Sequence, residues 1–146
     1  MRITYRGDYA LKTVLDLALH HGNSPITIHD LAKRLDIPTK FLEQILLDLK
    51  RGGFVESRRG KVGGYLLARE PAKITLGEVI RYIDGQVEPI SCVDKDYRGC
   101  KDKNKCALRD VWRQVAEATV NIVDNVTFEG LIRKNKELSS ALVYQI

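Results

Sequence analysis

The stretch TKFLEQILLDLKRGGFVESRRGKVGGYLL, residues 39–67, carries the clearest structural pattern in the chain. Its first half repeats apolar residues at spacings of three and four until Gly52-Gly53, which predicts an amphipathic helix. Those apolar residues are Leu42, Ile45, Leu46 and Leu49. Two short apolar runs then flank the basic, glycine-rich segment 58–64. This order predicts a β-hairpin with a cationic tip directly after the helix.

Two more helices are predicted upstream of this stretch. The first ends at the polar break 20–23, and the second follows Thr27, which forms a capping-box pattern with Asp30. Pro38-Thr39 indicates the turn and the cap that begin the third helix. Three helices followed by a hairpin is the order of the winged helix-turn-helix. We therefore expect a mainly α fold with a small β-hairpin, in which residues 1–70 form a DNA-binding domain.

The second half of the chain divides into three predicted segments. Residues 71–87 form a connecting helix, because Thr75 and Glu78 make a capping box, and residues 88–106 form a polar loop. Residues 107–146 are expected to hold a long dimerisation helix and a C-terminal tail, with a last short helix capped by Thr127. The long helix carries an apolar stripe that outlasts what one small domain covers, which favours a partner-facing role. The stripe contains Leu108, Val111, Trp112, Val115, Ala118, Ile122 and Val126.

Composition narrows the class of protein. The 146 residues are 44% hydrophobic and 29% charged, which is typical of one globular domain or two small ones. Lysine and arginine number 24 against 19 acidic residues, and this excess favours a polyanionic partner. No apolar run reaches the ~18 residues of a membrane span, and the N-terminus has no signal-peptide pattern, so a cytoplasmic protein is expected. No catalytic or nucleotide-binding motif is present, and we do not expect an enzyme.

The positive charge is concentrated where the winged helix is predicted. Between residues 33 and 69, nine bases face four acids, which accounts for the whole net charge of +5. Thr39, Lys40 and Glu43 begin the third helix, where recognition helices present side chains to bases. The wing residues Arg58, Arg59, Gly60 and Lys61 are expected to contact DNA as well. The alternatives are a solvated cationic face, or a module that binds RNA or an acidic protein.

Cys92, Cys100 and Cys106 follow the pattern C-x7-C-x5-C in a hydrophilic segment. Thiolates are natural ligands of iron-sulfur clusters, zinc and copper(I). Zinc sites usually contain C-x2–4-C pairs, so the wide spacing favours a loop around a larger cofactor. A thiol-disulfide switch is the intermediate alternative, because the neighbouring lysines favour thiolates, and three ordinary free thiols are the simplest one.

Several of these stretches together resemble the IscR/NsrR-type winged-helix regulators. The resemblance covers nearly the whole chain, and FLEQIL combined with the wing is specific to that family. The matching parts are MRITYRGDYAL at 1–11, FLEQIL at 41–46, RRGKVGGYLL at 58–67, TLGEVI at 75–80, and the cysteine triplet before a helix with Trp112. The resemblance implies a homodimeric transcription regulator, most simply a repressor, that binds palindromic double-stranded DNA. It also implies a 2Fe–2S or 4Fe–4S cluster held by Cys92, Cys100 and Cys106.

The resemblance also raises the identity of a fourth cluster ligand. Iron-sulfur assembly regulators of that family carry a histidine ligand three residues after the last cysteine, where this chain has Arg109. Nitric-oxide-sensing members use an aspartate from the other subunit at the place matching Asp8, so the resemblance makes Asp8 the candidate. Alternatively, Asp8 only complements the helix dipole. A regulator without cofactor that responds to a small metabolite is a further alternative.

Overall fold

The elements follow one another as a winged helix continued by three more helices. The computed structural model describes residues 2–144. The helices are α1 (Tyr5–Leu19), α2 (Ile28–Leu35), α3 (Thr39–Arg51), α4 (Leu76–Asp84), α5 (Ala107–Asn125) and α6 (Phe128–Val143), and the strands are β1 (Val55–Arg58) and β2 (Gly64–Leu67). Short 3-10 turns occupy Pro71–Lys73 and Ser91–Val93. This order confirms the predicted mainly α fold with a small hairpin.

Threonine side chains cap four of the six helices. In each case the hydroxyl accepts a hydrogen bond from the backbone N–H three residues later, which satisfies a donor that the helix itself leaves free. These caps are Thr4, Thr27, Thr75 and Thr127. Helix α3 differs from the prediction, since Pro38 occupies its N-cap position and Thr39 is its first residue. The Pro38 carbonyl accepts hydrogen bonds from the backbone N–H groups of Phe41 and Leu42, at 3.0 and 3.1 Å.

The hairpin is anchored at its base to the loop between α1 and α2. Strands β1 and β2 pair antiparallel, with Val55 opposite Leu67. Ile26 and Tyr65 exchange two backbone hydrogen bonds, at 2.9 and 2.8 Å. A Cβ atom on Gly64 would collide with the Ile26 carbonyl, so this approach requires glycine. The base of the wing is therefore fixed to the helical unit.

One hydrophobic core joins the winged helix to later parts of the chain. The apolar face predicted for α3 is buried, as is the facing side of α1. The same cluster includes Val79 and Ile83 of α4 and Phe128 of α6. The helices after the wing therefore complete the core of the winged helix. None of the helices between residues 2 and 144 is long and apolar enough to cross a membrane.

The expectation of a short last helix followed by a tail is wrong. Helix α6 spans 16 residues, Phe128–Val143. Its first turns bury Phe128 and pack Leu131 and Ile132 against the core, whereas the residues beyond are exposed. Those later residues include good helix formers such as Lys136 and Glu137 but have no buried face, so hydrophobic periodicity gives no signal for them.

Helices α4 and α5 are tied together at the ends away from the cysteines. Leu76 N–H donates to the Val126 carbonyl at 2.8 Å, and Phe128 N–H donates to the Ile74 carbonyl at 3.0 Å. Arg81 adds a two-pronged pair with Asp124, at 2.7 and 2.9 Å. The connection between α4 and α5 is irregular apart from one 3-10 turn, in agreement with the predicted loop.

Candidate nucleic-acid interface and cysteine segment

Helix α3 buries one face and presents the other to solvent. Leu42 and Leu46 are fully buried, while Lys40 and Glu43 are exposed and Thr39 is half-buried. Within residues 2–144 the Glu43 carboxylate makes no hydrogen bond or ion pair, and it is exposed to solvent. These three polar side chains lie in the first turns of α3, where a recognition helix meets base edges.

Contacts on both sides fix the position of α3. Arg6 of α1 pairs with Asp48 of α3, and this carboxylate is only 22% exposed. The Lys50 ammonium donates to the Ser57 hydroxyl of β1 at 2.6 Å. Helix α3 is therefore held to α1 on one side and to the wing on the other, a rigid mounting of the kind that a recognition element requires.

The tip of the wing carries exposed cations. Arg58, Arg59, Gly60 and Lys61 are all exposed. Arg58 approaches Glu56 at 3.5 Å, whereas Arg59 and Lys61 form no ion pair with the described residues. Gly60 has a φ of +117°, and its carbonyl accepts the hydrogen bond from the Gly63 N–H that closes the turn. Two cations on a glycine-rich turn are well suited to phosphate contacts.

The three cysteines lie on one stretch of the chain, residues 88–106, which we call the cysteine segment, but in different local structures. Cys92 lies in the 3-10 turn, Cys100 in irregular backbone, and Cys106 at the N-cap of α5. All three are free thiols, and Cys106 is the most exposed. In residues 2–144, no three side chains of His, Cys, Asp or Glu are grouped closely enough to hold a metal ion. The donor set suits a cluster chemically, because thiolates are the natural ligands of iron-sulfur clusters.

Two cations organise this segment. The Lys103 ammonium donates to the carbonyls of Asp94, Lys95 and Tyr97, at 3.3, 3.0 and 2.8 Å. Arg109 Nε donates to the Cys92 carbonyl at 2.8 Å, which joins the first turn of α5 to the turn that holds this cysteine. Sequence reasoning missed both contacts, because a backbone carbonyl leaves no trace in residue identity.

Asp94 is a further organising residue that the sequence did not reveal. Its carboxylate accepts a hydrogen bond from the Asp96 backbone N–H at 2.8 Å and another from the Gln86 side-chain amide at 2.6 Å. The hydrogen bond from Asp96, followed by that from Gln86, lowers the pKa of Asp94. The start of the cysteine segment is thereby attached to the residues that follow α4.

Asp8 lies in the first turn of α1 and pairs with a lysine one turn later. Its Oδ2 accepts a hydrogen bond from the Lys12 ammonium at 2.6 Å, and the Asp8 side chain is 46% exposed. This hydrogen bond is the main cause of the raised pKa of Lys12. Within one chain, Asp8 belongs to no metal-binding group of the described residues. The surface pair nevertheless leaves the carboxylate accessible.

Most of the apolar stripe predicted on α5 is left uncovered by residues 2–144. Ala116 and Val123, on another side of the helix, are buried. Five residues of the stripe are large, exposed hydrophobic side chains. Their exposed fractions are 67% for Leu108, 53% for Val111, 38% for Trp112, 41% for Val115 and 63% for Ile122. A continuous apolar surface of this kind marks an interaction site.

These features define the class of winged-helix DNA-binding regulators. The chain matches the Rrf2 family, described as iron-dependent transcriptional regulators, over residues 3–134, and it belongs to that family. It is similar to the transcriptional regulator IscR of Yersinia pseudotuberculosis, with 35% identity over 141 residues, covering 97% of this chain and 85% of that protein. Membership confirms the predicted family and a role in DNA-binding transcription regulation rather than enzymatic catalysis.

Solved structures agree with this assignment. CymR, the global cysteine regulator of B. subtilis, matches with a TM-score of 0.78 and 31% identity, covering 92% of this chain and 98% of that one. IscR of T. potens matches with a TM-score of 0.75 and 28% identity, covering 94% and 90%. The winged-helix fold is therefore shared along almost the whole of these proteins.

Proposed function

We propose that this chain is a homodimeric repressor that binds a palindromic operator and senses its signal through an iron-sulfur cluster held by Cys92, Cys100 and Cys106. The observation that carries the proposal is that the three free thiols lie on one irregular segment leading directly into the helix with the exposed apolar stripe. A change in that segment would therefore act on the dimer contact itself.

The four predicted segments take separate roles in this proposal. The DNA-binding domain, residues 1–70, recognises the operator, and the helix in residues 71–87 connects it to the rest of the chain. The loop 88–106 holds the cluster, and the segment 107–146 holds the two subunits together. Base edges are contacted by Thr39, Lys40 and Glu43. The Glu43 carboxylate can accept a hydrogen bond from a cytosine amino group. Arg58, Arg59, Gly60 and Lys61 contact the backbone or a groove. Two symmetric recognition helices require half-sites about 10 base pairs apart, or a multiple of that distance.

The chain's own residues prepare the cysteine segment for a cofactor. When bound, a 2Fe–2S or 4Fe–4S cluster supplies a centre that responds to redox change or nitric oxide. Arg109 cannot ligate, and it holds the Cys92 carbonyl instead. The family resemblance supports the partner subunit's Asp8 as the fourth donor. A carboxylate is a harder donor than a thiolate, and it suits a position that exchanges its ligand.

Metal and sulfide analysis of protein purified without oxygen tests the proposal most directly. Iron and acid-labile sulfide in comparable amounts, with visible absorption, are the expected result. A zinc-loaded protein, or a metal-free protein whose thiols form a disulfide on oxidation, would instead support a second candidate, a zinc-binding or thiol-switch regulator. The observation in its favour is that all three cysteines are free thiols and none of them is buried, so an oxidant or a metal ion can reach them.

Replacing Arg59 by alanine is expected to weaken binding to all duplex sequences alike and to reduce the slope of log affinity against log salt by about one. The reason is the loss of one phosphate contact from the exposed wing tip. Fluorescence anisotropy at several salt concentrations measures both quantities. Arg133→Ala, an exposed arginine of α6, is the control and should leave the slope unchanged. If Arg59→Ala keeps the wild-type affinity and slope, the wing is not part of the DNA site.

Replacing Asp8 by alanine is expected to alter the absorption of the cluster and to speed its loss in air by about tenfold, because one ligand is removed. The fold of the cluster-free protein should persist, since the pair with Lys12 is exposed and ion pairs at the surface contribute little to stability. Asp30→Ala, an acidic residue in the first turn of α2, is the matched control. An unchanged spectrum and lifetime in Asp8→Ala would eliminate Asp8 as a ligand.

A further inference from the structure

Helix α3 presents an apolar side chain on its outward face. Leu47 is 40% exposed, although it lies in the third turn of a helix whose other leucines are buried. With 3.6 residues per turn, Leu47 lies on the side of α3 opposite Leu42, Ile45 and Leu49, which form part of the core. Its side chain is therefore directed away from the core and toward any molecule that the outward face of α3 contacts.

Phe41 is the other large apolar side chain that α3 exposes, and its surroundings are different. It lines a groove together with Tyr5 and Tyr9 of α1. The neighbouring helix therefore accounts for the position of Phe41. Leu47 does not line this groove, so its exposure needs a separate explanation.

The surface around Leu47 is polar. Its neighbours on the helix surface are Glu43 and Gln44 one turn earlier and Lys50 and Arg51 one turn later, and all four are exposed. Leucine neither donates nor accepts a hydrogen bond, and it has no charge to attract a phosphate. A favourable contact between this side chain and DNA must therefore involve an apolar group of the DNA.

Thymine carries the apolar group that a base pair presents in the major groove. The other groups that distinguish the base pairs there are hydrogen-bond donors and acceptors, whereas thymine adds its 5-methyl group. An aliphatic side chain packed against this methyl removes apolar surface of both partners from water. A cytosine or a purine at the same place offers no methyl and gains less.

We propose that Leu47 is a specificity residue that packs against the 5-methyl group of a thymine in each operator half-site. The inference rests on the proposed function, in which α3 reads base edges in the major groove. Leu47 lies one turn after Glu43, about 6 Å further along the helix axis. Successive base pairs are about 3.4 Å apart, so this thymine lies about two base pairs from the base that Glu43 contacts.

The test uses the full chain and an operator selected by the wild-type protein from random duplexes. Each thymine of a half-site is replaced in turn by uracil, which lacks only the 5-methyl group, and fluorescence anisotropy measures the affinity. At one position the loss of the methyl should weaken wild-type binding about fourfold, the factor for burying one methyl-sized group. Leu47→Ala should bind the thymine and uracil duplexes nearly equally at that position, whereas Leu47→Met should keep most of the difference.

Leu19→Ala is the matched control for Leu47→Ala. Leu19 is the last residue of α1 and is 36% exposed, so the same change should leave the response to uracil as in the wild type. Thermal unfolding of Leu47→Ala should stay close to that of the wild type, because the side chain is on the surface.

Two results would overturn the role of Leu47 while DNA recognition stands. One is that no thymine-to-uracil change weakens wild-type binding, and the other is that Leu47→Ala keeps the wild-type response at every thymine. Failure of the wild-type protein to select any two-fold symmetric sequence would instead overturn the proposed function, and this inference with it.

Discussion

Replacing Val115 by glutamate is expected to convert the proposed dimer into monomers and to lower operator affinity at least about hundredfold, because two linked recognition helices gain this much over one. Val115 lies in the middle of the exposed stripe of α5. In the proposed dimer, a glutamate there would be removed from water without a partner, which is strongly unfavourable. Sedimentation velocity measures the oligomeric state, and fluorescence anisotropy with an operator duplex measures the affinity.

The control for this variant is Val143→Glu. Val143 is 72% exposed near the end of α6, outside the stripe, so the same change of residue should leave dimer and affinity intact. Circular dichroism should show the same helix content in both variants. A Val115→Glu protein that remains dimeric with wild-type affinity would show that the subunits associate through another surface.

Replacing Cys106 by serine is expected to remove nearly all iron and acid-labile sulfide from protein purified without oxygen. A serine hydroxyl is a much poorer ligand for a cluster than a thiolate. The fold should not suffer, because Cys106 is the exposed N-cap of α5 and forms no side-chain cap, whereas serine is a favoured N-cap residue. Loss of the cluster would therefore report ligation rather than unfolding. Elemental analysis and visible absorption provide the measurement.

Ser91→Ala is the control for the cysteine variant. Ser91 is exposed and adjacent to Cys92 in the 3-10 turn, so it tests disturbance of the same segment without removing a thiol. This variant should keep its iron and sulfide. If Cys106→Ser binds as much iron and sulfide as the wild type, Cys106 is not a ligand.

Local signals in the sequence predicted most of the fold. The threonine caps of α2 and α4 act between residues three apart, and the buried face of α3 follows from the spacing of its leucines and isoleucine. The family confirms the winged helix and the regulatory class. Thr39 was misplaced as a cap because proline can hold that position through its carbonyl alone, without a side-chain signal.

The contacts that organise the candidate sites could not be predicted in the same way. Arg109 meets a carbonyl 17 residues earlier in the chain, and Lys103 meets three carbonyls, which every residue type possesses. Glu88 is conspicuous only because its Oε2 is buried without a hydrogen-bond donor among the described residues. Such features depend on tertiary packing, whereas caps and stripes depend on spacing along one element.

The backbone bonds that join the start of α4 to the end of α5 have a consequence for evolutionary variation. They close the chain from Leu76 to Val126 into a loop, and the cysteine segment lies at the end opposite the closure. Lengthening such a loop costs little, since each doubling adds only about 0.6 kcal/mol of closure entropy. Residues can therefore be inserted or deleted between the cysteines while the register of the two helices is preserved. The distance between the thiols along the chain is thus set independently of the DNA-reading unit.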